Sequence, residues 1–197
     1  LIIGVSLLTD SARLAPYLLT ALTPTLLYLV GKELFDGRTG LLAAALLASS
    51  PLFLFTGATL TAHGSLLFFS ALFTWCYLRA RPGGAWLFPV VAGVALGMMF
   101  LIRPQDAVGY ALPFAALSAI RLIGRDRAKD LPRQLAMLAV FGVFLFFMLY
   151  YNRQVTGSWV KFPFHEYAPG QRFGFGPVYS DGAYSHTSLR GAENFFV

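Results

Sequence analysis

A histidine, an arginine and one aromatic-rich stretch hold most of the chemistry this chain could carry. His63 stands in Leu60-Thr61-Ala62-His63-Gly64, between two apolar segments. An ionisable ring at such a boundary can bind an anion, relay a proton or cap a helix. Arg103 sits in Arg103-Pro104-Gln105-Asp106, between two further apolar segments. Its planar fork matches phosphate oxygens. The same side chain can instead snorkel and pair with Asp106. Further on, NRQVTGSWVKFPFHEYAPGQRFGFG (152–176) interleaves Lys161, His165, Glu166, Tyr167 and Arg172 with aromatic rings. That mixture suits a sugar ring or a lipid head, and it equally suits an ordered interfacial loop. His165, His186 and His63 with the nearby carboxylates do not fall into a compact ligand motif such as H-x-x-x-H, so no metal site is assigned. A divalent cation shared among distant loops stays open as a cofactor.

The elements that must position these groups are apolar. Of 197 residues, 57% are hydrophobic and 12% charged, about half the charged fraction of an ordinary soluble domain. Six segments have roughly the length of a membrane-crossing helix: Ala12–Val30, Gly40–Gly57, Thr61–Leu78, Ala85–Ile102, Ala107–Ile123 and Gln134–Tyr151. The expected fold is therefore all-α, a polytopic transmembrane bundle of about six spans over residues 1–151. An external loop region follows over 152–197. Turn signals bound the segments: Asp36-Gly37, Arg81-Pro82-Gly83-Gly84, Arg103-Pro104 and Thr156-Gly157. Ser49-Ser50-Pro51 interrupts the second segment and predicts a kink there. Gly93-x-x-x-Gly97 in the fourth predicts close helix packing. Cys76 lies inside an apolar segment and reads as packing.

Charge sorts the loops. Nine of the fifteen Lys and Arg residues fall in three alternate gaps, Gly31–Thr39, Arg79–Ala85 and Arg121–Arg133. The intervening gaps, Ala58–His63 and Arg103–Asp106, hold none and one. This is the positive-inside pattern of a multi-pass membrane protein, and it places the basic gaps in the cytoplasm. His63, His165, His186, Arg103, Asp10, Asp106 and Glu166 then face outward, as does the tail with its ten aromatics. Glu33, Asp36, Asp126 and Asp130 are expected as solvated partners of the basic loops. The net charge of +6 fits contact with anionic membrane lipids. With no basic face or aromatic–basic stripe, it does not point to nucleic acid.

The run ARLAPYLLTALTPTLLYLVGKELFDGRTGLLAAALLASSP (12–51), the segment GVALGMMFLIRPQD (93–106) and the tail pattern N-x3-TG-x4-FPF-x2-Y-x5-R-x-GFG resemble polytopic glycosyltransferases of the GT-C class. The nearest group is the dolichyl-phosphate-mannose–protein mannosyltransferase-like and aminoarabinose-transferase-like superfamily, glycosyltransferase family 39 and its relatives. The resemblance implies an enzyme of the bacterial inner membrane and cell envelope. It moves a sugar from a polyprenyl-phosphate donor to an acceptor glycan, lipid or protein on the external (periplasmic) face. It implies a carboxylate general base in the first external loop, which is expected upstream of Leu1, the chain being read as a piece of a longer protein. Asp10 is a weak stand-in for that base. Arg103 matches the family's Arg-Pro and is the donor-phosphate candidate. His63 stands where many relatives carry an acid or an amide. With His63, Asp106, His165, Glu166, Tyr167 and Arg172, Arg103 makes the expected substrate-binding rim. The alternatives are a flippase or transporter for a lipid-linked substrate, and a non-catalytic membrane subunit. Transport coupled to ions is disfavoured by mid-segment polar residues that are mainly Thr, Ser and Pro.

Overall fold

The computed structural model describes residues 14–59, 61–123, 127–163, 176–178 and 184–186. Seven helices are described: α1 (Leu14–Leu34), α2 (Gly37–Ser49), α3 (Pro51–Ala58), α4 (Ala62–Arg79), α5 (Leu87–Ile102), α6 (Pro104–Ile123) and α7 (Arg127–Thr156). Among the described residues each apolar segment carries a helix, the second one broken into two at Ser50. Three helices are long and apolar enough to cross a membrane: Leu14–Leu34, Pro104–Ile123 and Asp130–Thr156. The bent pair α2–α3 makes a fourth if counted as one span, and α5 is a shorter apolar helix. Six spans are therefore not shown by length and composition. Helix α4 carries His63 and Arg79 in its end turns, and α5 has 16 residues.

The break in the second segment is local chemistry. Ser50 leaves helical geometry at φ −68° and ψ 120°. Its hydroxyl accepts the Phe53 N–H at 3.4 Å, and Pro51, which has no N–H to lose, starts α3. The two helices bend by 60°, so the expected kink is a full break with its own cap. Asp36 caps α2, accepting from Thr39 N–H at 2.7 Å. Its carboxyl is held below the ordinary value by that backbone hydrogen bond first, and then by the side-chain hydrogen bond to Thr39.

Within the unit Leu1–Leu145, the helix directions alternate. Thr20 on α1 lies against Gly64 on α4, and Glu33 on α1 reaches Arg79 on α4. Those helices run parallel. Thr74 meets Tyr110, and Tyr77 meets Phe114 and Ser118, so α6 is parallel to α4 as well. A tight turn with Gly83 at φ +89° reverses the chain into α5, where only glycine is unstrained. Helix α7 runs parallel to α5 along the Gly93 and Gly97 stripe. A Cβ on Gly93 would lie 2.5 Å from the Met137 carbonyl oxygen, and one on Gly97 would overlap the Phe144 ring. The two glycines therefore form the groove that α7 occupies, as the sequence predicts. The core is aromatic and small-residue: Phe73, Tyr77, Ala92, Ala95 and Met99 are buried. Phe114 meets Phe73 edge-on at 4.9 Å and Tyr77 at 5.0 Å. Cys76 is buried among them.

A second unit covers Phe146–Val197. Here α7 ends on Gly157 at φ +73°, the left-handed C-terminal stop that glycine favours. The Asn152 side chain is buried and donates to the Trp159 carbonyl at 3.4 Å. The Arg153 guanidinium lies 4.8 Å from the centre of the Trp159 ring. Two short antiparallel strands, β1 (Gly176–Val178) and β2 (Tyr184–His186), pair Gly176 with His186 and Val178 with Tyr184. The sequence reading foresaw no strand. Three-residue strands built on Gly, Pro and Ser carry too little alternation to announce themselves.

Candidate functional site

Alternating helix directions give the first unit two unlike ends. At one end lie the start of α1, the α3–α4 junction and the α5–α6 junction. Tyr17 donates to the Ala58 carbonyl at 3.4 Å, and Gly64 admits Thr20 where a Cβ would clash. His63, exposed in the first turn of α4, belongs to this end. So do Arg103 and Asp106, because α5 runs antiparallel to α4 and finishes where α4 begins. The fold thus brings three of the sequence-predicted residues to one end. Asp10, His165, Glu166, Tyr167 and Arg172 lie outside the described residues.

Arg103 is placed by backbone chemistry. It caps α5 in extended geometry, φ −148° and ψ 95°, with its N–H on the Met99 carbonyl at 2.8 Å. Pro104 cannot continue α5, so α6 starts at once. Asp106 falls in the first turn of α6, where the helix dipole favours a negative charge. Its Oδ2 lies 3.1 Å from Arg103 Nε as an ion pair, and both side chains are about one-third exposed. Among the described residues Nε is the only Arg103 side-chain nitrogen with a polar partner. The carboxylate thus draws one edge of the fork toward α6 while leaving its terminal nitrogens for an anion. Pairing with Asp106 and binding of a phosphate are therefore compatible in this geometry. Among the described residues no three His, Cys, Asp or Glu side chains gather as a metal site.

The opposite end gathers the basic gaps. Arg79 Nε donates to Glu33 at 3.3 Å, and Arg133 Nη2 to the Gly84 carbonyl at 2.7 Å. Arg121 lies 5.0 Å from the centre of the Tyr77 ring in the last turns of α4. These contacts join Gly31–Thr39, Arg79–Ala85 and Arg121–Arg133, the three gaps that charge alone had grouped. One expectation fails here. Asp130 is 5% exposed and has no ion-pair partner within reach among the described residues, so it is no solvated partner of the loop. Helix α7 begins at Arg127, not Gln134, and carries Asp130, Arg133, Gln134 and Met137 inward on one face. Asp36 likewise serves the α2 cap instead of a base, Glu33 does pair with Arg79, and Asp126 lies outside the described residues.

The sequence reading missed this buried polar set. Tyr77 Oη meets Ser118 Oγ at 2.8 Å, and Ser118 donates to Gln134 Oε1 at 3.1 Å. The i, i+3, i+4, i+7 spacing of Asp130, Arg133, Gln134 and Met137 was the available signal. It went unread because charged residues between apolar segments look like a solvated loop.

No curated protein and no solved structure matches the chain. A family model does: that of dolichyl-phosphate-mannose-protein mannosyltransferase, over residues 2–151. Its match runs through every helix that carries His63, Arg103 and Asp106 and covers most of the chain. The protein belongs to the dolichyl-phosphate-mannose-protein mannosyltransferase family of membrane glycosyltransferases.

Proposed function

We propose that this chain takes part in moving a sugar from a polyprenyl-phosphate donor to an acceptor on the external face of a bacterial inner membrane, and that Arg103 holds the donor phosphate. The observation that carries this reading is the Arg103–Asp106 arrangement. A guanidinium pinned at one edge, at a helix junction on the sparsely charged end, is oriented before any ligand arrives. The leaving group of this transfer is a lipid phosphate, whose charge rises as the bond to the anomeric carbon breaks. A fixed cation stabilises that charge more than it stabilises the ground state. His63, at the same end, is assigned to the phosphate or sugar. The acceptor hydroxyl needs a base, and none is assigned within the described residues.

The six helical traverses, with α2 and α3 counted as one, are all taken to cross the bilayer, with residues 152–197 as a separate external region. The positive-inside rule then sets the Arg121–Arg133 end in the cytoplasm and the Arg103 end outside.

The test is donor use by the full chain in membranes. Arg103→Ala is expected to weaken use of a polyprenyl-phosphate sugar at least tenfold, the scale of a charge-assisted hydrogen bond. Arg103→Lys recovers only part, since a point charge lacks the fork. Donor kinetics unchanged in Arg103→Ala remove Arg103 from the site.

A further inference from the structure

At the basic end three polar atoms are shielded from solvent and have no hydrogen-bond partner: Arg121 Nη1, Asp130 Oδ1 and Arg133 Nε. They lie at matching depth. Ser118 on α6 bonds Gln134 on α7, and these helices run antiparallel. Arg121 is three residues beyond Ser118, and Asp130 is four residues before Gln134. Each step leads one turn toward the same end. Arg133 is next to Gln134 and reaches the Gly84 carbonyl there. Yet among the described residues no ion pair joins Asp130 to either guanidinium. Burying a carboxylate and two guanidinium donors without partners costs more than any neutral group left so. At a helix end beside the bilayer, a lipid head group is one source of such partners.

What is missing has a definite chemistry. Two orphaned donors ask for acceptor oxygens, and one orphaned carboxylate oxygen asks for a donor. The end in question is the one whose arginines rest on aromatic rings. Arg121 lies on Tyr77, and Arg133 lies 5.0 Å from the centre of the half-exposed Trp86 ring. Arginine over an exposed Trp at a helix end fits the head-group layer, and basic sites between helices there take lipid phosphates.

We propose that this end binds the head group of an aminophospholipid, its phosphate against Arg121 and Arg133 and its primary ammonium against Asp130. The head group enters where Arg121, half-buried and without a hydrogen bond among the described residues, turns from Tyr77 to meet it. A choline head offers no N–H to Asp130, and a glycerol head offers no positive charge. The site stands independently of sugar transfer, which is read at the opposite end.

The test is native mass spectrometry of the full chain in detergent, titrated with phosphatidylethanolamine, phosphatidylcholine and phosphatidylglycerol of equal acyl chains, and with inorganic phosphate. Phosphatidylethanolamine is expected to bind about tenfold more tightly than phosphatidylcholine, the scale of one charge-assisted hydrogen bond. Asp130→Asn should bring those two lipids level. Arg121→Gln, checked for an unchanged melting temperature, should weaken all three lipids. Equal binding of the ethanolamine and choline lipids by the unaltered chain overturns the proposal. So does a preference that survives Asp130→Asn, undiminished lipid binding in Arg121→Gln, or phosphatidylglycerol binding as tightly as phosphatidylethanolamine. Displacement of bound lipid by millimolar phosphate would make this a soluble-anion site and also overturn it.

Discussion

Asp106 Oδ2 and Arg103 Nε form an ion pair at 3.1 Å across the α5–α6 junction, three residues apart and with both side chains about one-third exposed. An exposed pair of this kind adds little to stability, about 1 kcal/mol at most. Asp106→Asn should therefore leave the melting temperature nearly unchanged. It should still alter donor use, because the guanidinium loses the contact that orients it. A large drop in melting temperature with unaltered donor kinetics would reduce the pair to a structural contact.

The seam between α5 and α7 has no room for a methyl group at Gly93, where a Cβ would come 2.5 Å from a backbone carbonyl oxygen and 2.8 Å from Val140 Cβ. Gly93→Ala is expected to destabilise the protein by about 1–3 kcal/mol, the range for overpacking. Gly109, in α6, has open space around its Cβ position. Gly109→Ala should stabilise by up to about 1 kcal/mol through helix propensity. Unfolding in mixed micelles compares the two, and an equal response would mean that α7 does not lie in the glycine groove.

Asp36 gives a pH signature. Its carboxyl is depressed below the ordinary 3.8 by the Thr39 N–H it caps. A depressed carboxyl contributes stability that is complete above the unfolded value and lost as pH falls through the folded one. Asp36→Asn should remove this acid-limb contribution while leaving the neutral-pH dependence unaltered. Thermal melts of both forms from neutral pH down to the acid limb measure it.

Sidedness is open to chemical labelling. Cys76 is the only cysteine and is buried, so it serves as a silent background. Arg81→Cys, in the exposed α4–α5 turn, should resist an impermeant thiol reagent applied outside intact cells and react once they are opened. Reaction from outside would invert the orientation proposed for every loop.

Much of this was written in local sequence signals. Apolar runs located the helices to within about four residues, except α7, which starts at Arg127 and not Gln134. Ser50-Pro51 located the break, and Gly93 and Gly97 located the seam. Alternating charge grouped these loops on one side, and Arg79–Glu33 and Arg133–Gly84 are contacts between them. The position of Asp130 could not be inferred from charge counts. A carboxylate beside five basic residues looks solvated until α7 is known to start at Arg127 and to turn that face inward. The Arg103–Asp106 pair was legible as a possibility, since i and i+3 residues neighbour each other on a helix. Its coexistence with a partly open fork depends on Pro104 ending one helix and starting the next, which spacing alone does not convey.

Helix α5 has 16 residues and so rises about 24 Å, several ångströms less than the roughly 30 Å hydrocarbon layer of an ordinary bilayer. Arg103 follows its last turn directly. With α5 crossing the bilayer as proposed above, a mismatch of this size is met by local thinning of the lipid around the short helix. Head groups and water then sink toward Arg103, and a phosphate attached to a long isoprenoid tail can reach the guanidinium while its tail stays in oil. On this reading the brevity of α5 sets the depth at which the donor is met, and thicker membranes should slow the protein by lifting the lipid phosphates away from it.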